Sequence, residues 1–386
     1  MGALEGVRVL DLTRLLPGPF ASLVLADLGA TVDKVEDADQ GDYLRHLPPQ
    51  IGGSNVAFGM LNRGKRSLVL DLKRPEGRAA FERLLPTYDV LFEQFRPGVL
   101  ARLGFPVEEL RAKHPRLIVC SLTGYGQTGP LAQRSGHDLN YVARSGILGH
   151  QGDERGPQVP GFQTADVSGG MWSVIGILAA LLERARTGQG AHVDVAMSEG
   201  TVPFNVIGLA ASMVGQAPAR GGDQLTGGIA PYGVYRTSDD QLMTIAALEP
   251  KFWLKFSGLF GLSAQMSDLV PGPHQAELKA SVAAIFRDKD AATWAEVATA
   301  NDLPIERVLA PGDIPHDPHL AARGVLFTRE SPGGPVPQFR TPVSPESVKT
   351  ARLAGRAGED SRSILAEAGL SSTEIDALVA SGAVRE

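Results

Sequence analysis

The chain has 386 residues, 43% of them hydrophobic and 21% charged, and a formal net charge of -6. That is a soluble globular composition with enough apolar material for two or three domains. Its 37 basic and 43 acidic residues form no long blocks, which argues against general nucleic-acid binding and leaves an anionic small ligand open.

A single cysteine, Cys120, lies in the apolar run 117–122 and reads as an inert buried thiol; it excludes an intrachain disulfide, a zinc cluster and a dithiol motif. The first residues show no signal-peptide pattern, and no uncharged run approaches the roughly 20 apolar residues of a membrane span. No membrane association and a cytoplasmic location are the expectation.

In chain order, Val7–Leu12 reads as a buried strand, Leu15–Pro19 as a turn, Phe20–Leu28 as a helix closed by Gly29, and Thr31–Glu36 as a second strand. Strand, helix, strand predicts a parallel sheet. Glu36 ends the second strand as an acid does in dinucleotide folds, but the glycine fingerprint is missing from the first turn. Alternation continues with strands at 67–72, 89–95 and 117–122 and helices at 75–84 and 107–113. Gly124 to Gly129 is a literal G-x-G-x-x-G after a strand. Pro130 follows it where a pyrophosphate-binding helix should begin, so it reads as a tight loop.

Ser135 to Tyr141 then places an imidazole, a carboxylate, an amide and a phenol among glycines, which reads as a site-forming loop. Ser168–Arg184 is a nearly all-apolar helix, expected to be buried, with Asp166 just before it. A strand at 192–195 and a helix from Met197 follow, then a Gly-, Ala- and Pro-rich stretch at 215–228. Residues 233–248 read as a hairpin turning at Ser238-Asp239-Asp240. Helices are expected near 251–259, 276–286, 291–300, 361–368 and 372–381, with a loop-rich stretch at 332–344.

Three residues carry two readings each. His137 is either a loop histidine bonded to backbone or a general acid/base titrating near neutral pH. Asp166 is a helix N-cap, and the same position beside a helix N-terminus suits chemistry on a developing negative charge. Glu249 is either the acid of a helix's first turn or an acid delivered to a site at a strand's end. Asn62-Arg63-Gly64-Lys65-Arg66 and Arg96-Pro97-Gly98 flank strands where a parallel sheet gathers ligands, so surface charge and phosphate binding are both open for their cations.

Together these motifs resemble the family III CoA-transferase superfamily, and within it the α-methylacyl-CoA racemases. The resemblance rests on Val9–Arg14 with Pro17-Gly18-Pro19, Leu25–Ala30 with Lys34-Val35-Glu36, Asn62–Arg66, Phe95–Gly98, Gly124–Pro130, Gly136-His137-Asp138 and Arg186–Gly190. Gly-His-Asp-x-Asn-Tyr at 136–141, an aspartate at 166 and Glu249-Pro250 are similar to the racemase pattern. The related transferases usually carry tyrosine in place of His137, lack Glu249 and often have a glycine run, of which only Gly227-Gly228 remains here.

The resemblance implies an α/β fold: a Rossmann-like parallel-sheet large domain plus a small α+β domain, in an interlocked homodimer. The implied division is a large CoA-binding domain over 1–200, a linker over 201–226, a small domain over 227–305, a return linker over 306–330, and a segment 331–386 completing the large domain. The implied activity is interconversion of 2-methylacyl-CoA epimers through an enolate, with no metal or redox cofactor. His137 and Asp166 would be the two bases and Glu249 the partner of His137. Backbone N–H groups of the helix after Asp166 would hold the enolate oxygen. CoA would lie along Arg14, Asn62, Arg63, Lys65, Arg66, Arg96 and Gly98, with Asp138 and Tyr141 lining the pocket. Asp166 and Glu249 would come from different chains. A CoA transferase using Asp166 as nucleophile, a non-catalytic acyl-CoA binder and a nicotinamide enzyme remain as alternatives.

Overall fold

The computed structural model describes residues 2–386. The chain divides into two compact units, one of residues up to 142 with 162–201 and 318–386, the other of residues 143–161 and 202–317.

The first unit begins β1 Arg8–Asp11, α1 Pro17–Asp27, β2 Thr31–Glu36, β3 Arg66–Leu70, α2 Pro75–Leu84, β4 Val90–Glu93, α3 Val107–Lys113 and β5 Ile118–Thr123. After α4 Asp138–Arg144 come α5 Thr164–Thr187 and β6 His192–Ala196. The second unit holds α6 Val206–Met213, β7 Tyr232–Arg236, β8 Leu242–Ala246, α7 Pro250–Phe260, α8 Gln275–Arg287, α9 Ala291–Asn301 and β9 Ile305–Arg307. The chain then returns with β10 Leu326–Arg329, β11 Val336–Phe339, α10 Ser361–Glu367, α11 Ser372–Ala380 and β12 Val384–Arg385.

The large sheet has seven strands in the order β12-β3-β2-β1-β4-β5-β6. All its pairs are parallel except β12, whose Val384 lies antiparallel to Leu70. β1, β4 and β5 are runs of Val, Leu, Ile and Phe because helices cover both faces, and no alternation with polar residues is needed. The chain winds outward from β1 on both sides, so the order reverses between β1 and β4. In such sheets ligands gather in the crevice outside the carboxyl ends of the strands at that reversal. The loops after β1, β4 and β5 all open there.

α5 is the longest helix, and by length and hydropathy it could cross a membrane, with 44% of its apolar window buried in the protein. Its buried face is small, with Ser168, Gly169, Gly170 and Ser173. A Cβ at Gly170 would lie 2.7 Å from the Pro17 carbonyl, so glycine is what lets α1 approach the first turns of α5. The opposite face exposes Met171, Trp172, Ile175 and Leu182, which corrects the expectation of an all-round buried helix.

In the second unit, the sheet β9-β8-β7 is antiparallel, with Thr244 opposite Val234 on one side and Glu306 on the other. Trp253, Phe256, Phe286 and Trp294 form its aromatic centre, and the Phe286 and Trp294 rings stack at 4.3 Å. Residues 143–161 fall in this unit, and α6 lies in the helical stretch expected from Met197 onward. The stretch expected to be loop-rich carries β11, which pairs with the preceding β10 in a hairpin, Leu326 opposite Phe339.

Candidate active site

The crevice at the strand reversal is built by four segments of the first unit. The turn after β1 carries Thr13 and Arg14, and the turn after β4 carries Phe95 and Arg96. The Gly18 N–H joins the two by donating to Gln94 Oε1 at 3.3 Å. The loop after β5 leads to His137, and the first turn of α5 carries Asp166.

The segment expected as a loop from His137 to Tyr141 instead starts α4 at Asp138. Asn140 Oδ1 accepts the His137 N–H at 3.0 Å, and the His137 carbonyl accepts the Asn140 N–H at 2.8 Å. These bonds fix the backbone and leave the His137 side chain exposed. Asp166 lies inside the first turn of α5 rather than before it, so it is not the N-cap. That task falls to Asp138, whose Oδ1 accepts the N–H of Ala165 at 2.6 Å and of Asp166 at 3.1 Å. The N–H groups of Ala165 and Asp166 are therefore satisfied by Asp138, which caps α5. The N–H groups of Asp138 and Leu139, which open α4, have no acceptor among the described residues.

Asp138 also acts on Asp166 through charge. Burial first, then the neighbouring Asp138 carboxylate, pushes the Asp166 carboxyl up to about 6, and the His137 imidazole opposes the rise. Asp166 is half-buried and His137 exposed, so both stay within reach of a ligand in the crevice. An imidazole and a carboxyl group in this position can exchange protons with one bound molecule.

Tyr141 does not line the pocket. It is buried, its hydroxyl donates to the Gly136 carbonyl, and its ring fills the space that a Cβ at Gly124 or Gly136 would need. The Gly124–Gly129 loop is likewise committed: the Gly126 N–H donates to Thr123 Oγ1 and the Gln127 N–H to Asp194.

The basic cluster before β3 is also turned inward. Arg63 is fully buried and bidentate on Asp27 at 2.7 and 2.9 Å, with its remaining donors on Gln338 and the Phe339 carbonyl. Lys65 is buried on Asn62 Oδ1 and the Pro19 carbonyl. Burial holds its ammonium down to about 7, with Lys34 adding to the fall and Asp11 opposing it. Asn62 also donates to the Phe58 carbonyl. Arg66 pairs with Asp33 at 2.6 Å and with Glu367. These side chains are thus engaged with carboxylates, an amide and carbonyls of the chain itself. The partners Asp11, Asp27 and Asp33 were the missing signal, since each lies more than thirty residues away along the chain.

The exposed cations at the crevice are Arg14, Arg96 and Lys73, with Gly98 exposed beside Arg96. Arg14 stacks over the Tyr43 ring at 4.8 Å and donates to its hydroxyl. Lys73, followed by Arg74, had escaped the sequence reading; its ammonium lies 3.5 Å from Asp37 and 3.4 Å from Asp39. A cavity of about 330 Å³ lies here, lined by Thr13, Arg14, Lys34, Asp42, Tyr43, Leu72, Lys73 and Phe95 among others. Among the described residues no group of three or more His, Cys, Asp or Glu side chains is placed to hold a metal ion. In the second unit, Glu249 stands at the N-cap of α7 with an exposed side chain that makes no capping bond.

The fold is mixed α/β with a parallel-sheet core, and His137 and Asp166 lie in the segments that follow its strand β5. The chain belongs to CoA-transferase family III, whose model matches residues 4–361. It is 36% identical to human alpha-methylacyl-CoA racemase over 384 residues, covering 97% of this chain and 95% of that protein. It is also 36% identical to acetyl-CoA:oxalate CoA-transferase of Acetobacter aceti over 357 residues, covering 87% and 89%. The crystal structure of a CAIB/BAIF family protein from Brucella suis superimposes with a TM-score of 0.81 at 32% identity, covering 95% of this chain and 99% of that one. Racemases and transferases are thus equally similar to it.

Proposed function

We propose that this chain is a racemase that interconverts the C2 epimers of 2-methylacyl-CoA thioesters. The observation that carries this reading is the pairing of exposed His137 with an Asp166 held near pH 6 by burial and by Asp138. A C2–H beside a thioester is weakly acidic. Removing it from one face and returning a proton to the other needs two groups that each spend time in both protonation states at neutral pH.

In this reading one of His137 and Asp166 takes the C2 proton as the other delivers one to the opposite face. The unpartnered N–H groups of Asp138 and Leu139 stand beside His137 and suit the enolate oxygen. The reaction moves only protons, so its chemistry calls for no redox group. The CoA nucleotide occupies the cavity whose lining includes Arg14 and Lys73, with these cations as counter-ions to its phosphates and exposed Arg96 next to the lining residue Phe95.

The enzyme acts as a homodimer in this reading, with Glu249 of a second copy orienting His137. The exposed apolar face of α5, and separately that of α6 with Val206, Ile207 and Met213, supports burial against another chain.

A CoA transferase is the second reading, favoured by the equal identity to the oxalate enzyme. One experiment separates them. A single epimer of a 2-methylacyl-CoA is incubated with the protein in the absence of any free acid, and the configuration at C2 is followed. Loss of optical purity is expected. An unchanged epimer, with a hydroxylamine-trapped acyl group at Asp166, would replace the racemase by the transferase.

A further inference from the structure

Leu15 lies between β1 and α1 with φ 64°, in the left-handed region that a leucine avoids. Strain of this kind persists only where surrounding structure imposes it, and it gathers at ligand sites. The imposing group here is Asp42. Both of its carboxylate oxygens face the Leu15 N–H, at 3.1 and 3.2 Å. Asp42 is itself held on three sides: its N–H donates to Glu36 Oε2 at 3.1 Å, its Oδ1 accepts the Leu44 N–H at 3.0 Å, and Lys34 Nζ lies 3.0 Å from its Oδ2. The same Lys34 ammonium donates to the Thr13 carbonyl at 2.6 Å. Lys34, Glu36 and Asp42 are all buried. The turn is thus gripped at Thr13 and at Leu15 by one ion pair, and Arg14 stands between the two grips with its side chain on Tyr43.

We propose that Asp42 is a positioning residue for the acyl-CoA site: with Lys34 it locks the β1–α1 turn in a left-handed form, so that Arg14 and Tyr43 are set as the cavity wall before ligand arrives. A tense turn without the clamp would relax, and ordering it again would weaken binding. Asp42 touches no ligand in this scheme and acts through the backbone. The proposal rests on the acyl-CoA reading for its ligand, and on the Leu15 backbone for its mechanism.

The test uses full-length protein, CoA titrated by calorimetry, and thermal melting. Leu15→Gly accepts positive φ and is expected to keep CoA affinity within about threefold of wild type. Leu15→Val resists it through β-branching and is expected to weaken CoA about tenfold and to melt lower. Leu15→Ala, which shares the missing side chain but not the backbone freedom, should melt below Leu15→Gly. Asp42→Asn should weaken CoA by about tenfold, and adding Leu15→Gly should recover most of that loss. If Asp42→Asn does not fold, the Leu15 series alone decides. The clamp is overturned if Leu15→Ala melts at or above Leu15→Gly, or if Leu15→Val binds CoA as wild type does. A wild-type protein that binds no CoA removes the acyl-CoA reading instead, and the order of the melting temperatures still decides the clamp.

Discussion

At the scale of single residues, Asp138 links structure to chemistry. One carboxylate caps α5 through the Ala165 and Asp166 N–H groups and, by its charge, raises the Asp166 carboxyl. Replacing it with a neutral amide that still accepts hydrogen bonds separates the two effects. Asp138→Asn removes a nearby negative charge, so the ionised Asp166 becomes easier to form and its pKa falls from about 6. The acid limb of kcat/KM for the epimer that Asp166 deprotonates should move to lower pH by a measurable fraction of a unit. An unmoved limb, or one moved upward, would show that Asp138 does not set the protonation of Asp166.

At the scale of elements, the cations before β3 are staples. Arg63 ties the end of α1 to β11 through Asp27, Gln338 and the Phe339 carbonyl, with Arg63, Asp27 and Gln338 buried. Arg63→Met leaves Asp27 buried without its counter-charge and should cost about 3–5 kcal/mol in denaturant unfolding. CoA affinity of the folded fraction should stay within about threefold, whereas a binding residue would lose far more. Glu93, at the carboxyl end of β4, gives a second element-scale prediction. Burial first, then Asp194, raises its carboxyl from 4.5 to about 7, against the opposing bonds from Ser121 and Phe95. The folded chain therefore holds this proton more tightly than the unfolded chain. Stability from this group is present below about pH 4.5 and is lost as pH rises through about 7. Glu93→Gln should raise the melting temperature relative to wild type more at pH 8 than at pH 5.

These elements also show what a sequence reveals. The strands β1, β4 and β5 were legible because burial on both faces writes short runs of Val, Ile, Leu and Phe. The hairpin β7–β8 was legible from its alternation and its Ser-Asp-Asp turn. The first turn of α5 was not, because Thr164-Ala165-Asp166 carries no local cap and the group that caps it comes from Asp138, 27 residues earlier. The inward turn of Arg63, Lys65 and Arg66 was hidden for the same reason: a basic run looks alike whether its carboxylates are solvent, ligand or distant parts of the chain. His137 and the Arg96 turn stood out as polar residues beside glycines, whereas Arg14 and the chemical role of Asp166 were reached through the family resemblance.

At the scale of the whole molecule, the racemase reading assigns one site to two copies of the chain. Asp166→Ala and Glu249→Ala homodimers should each be nearly inactive. Refolded together in equal amounts, they should regain about a quarter of wild-type activity, since half of the mixed species are heterodimers with one intact site of two. Recovery of none would place Glu249 outside the site of a neighbouring chain.

The central claim, proton exchange at C2 by two bases, is tested most directly in D2O. One epimer of a 2-methylacyl-CoA is incubated with the protein, and C2 deuterium and C2 configuration are followed together by NMR and chiral analysis. The racemase reading predicts that deuterium enters as optical purity decays, and that both fall away in His137→Ala and Asp166→Ala. Several acyl groups that keep both their C2 proton and their configuration would contradict it.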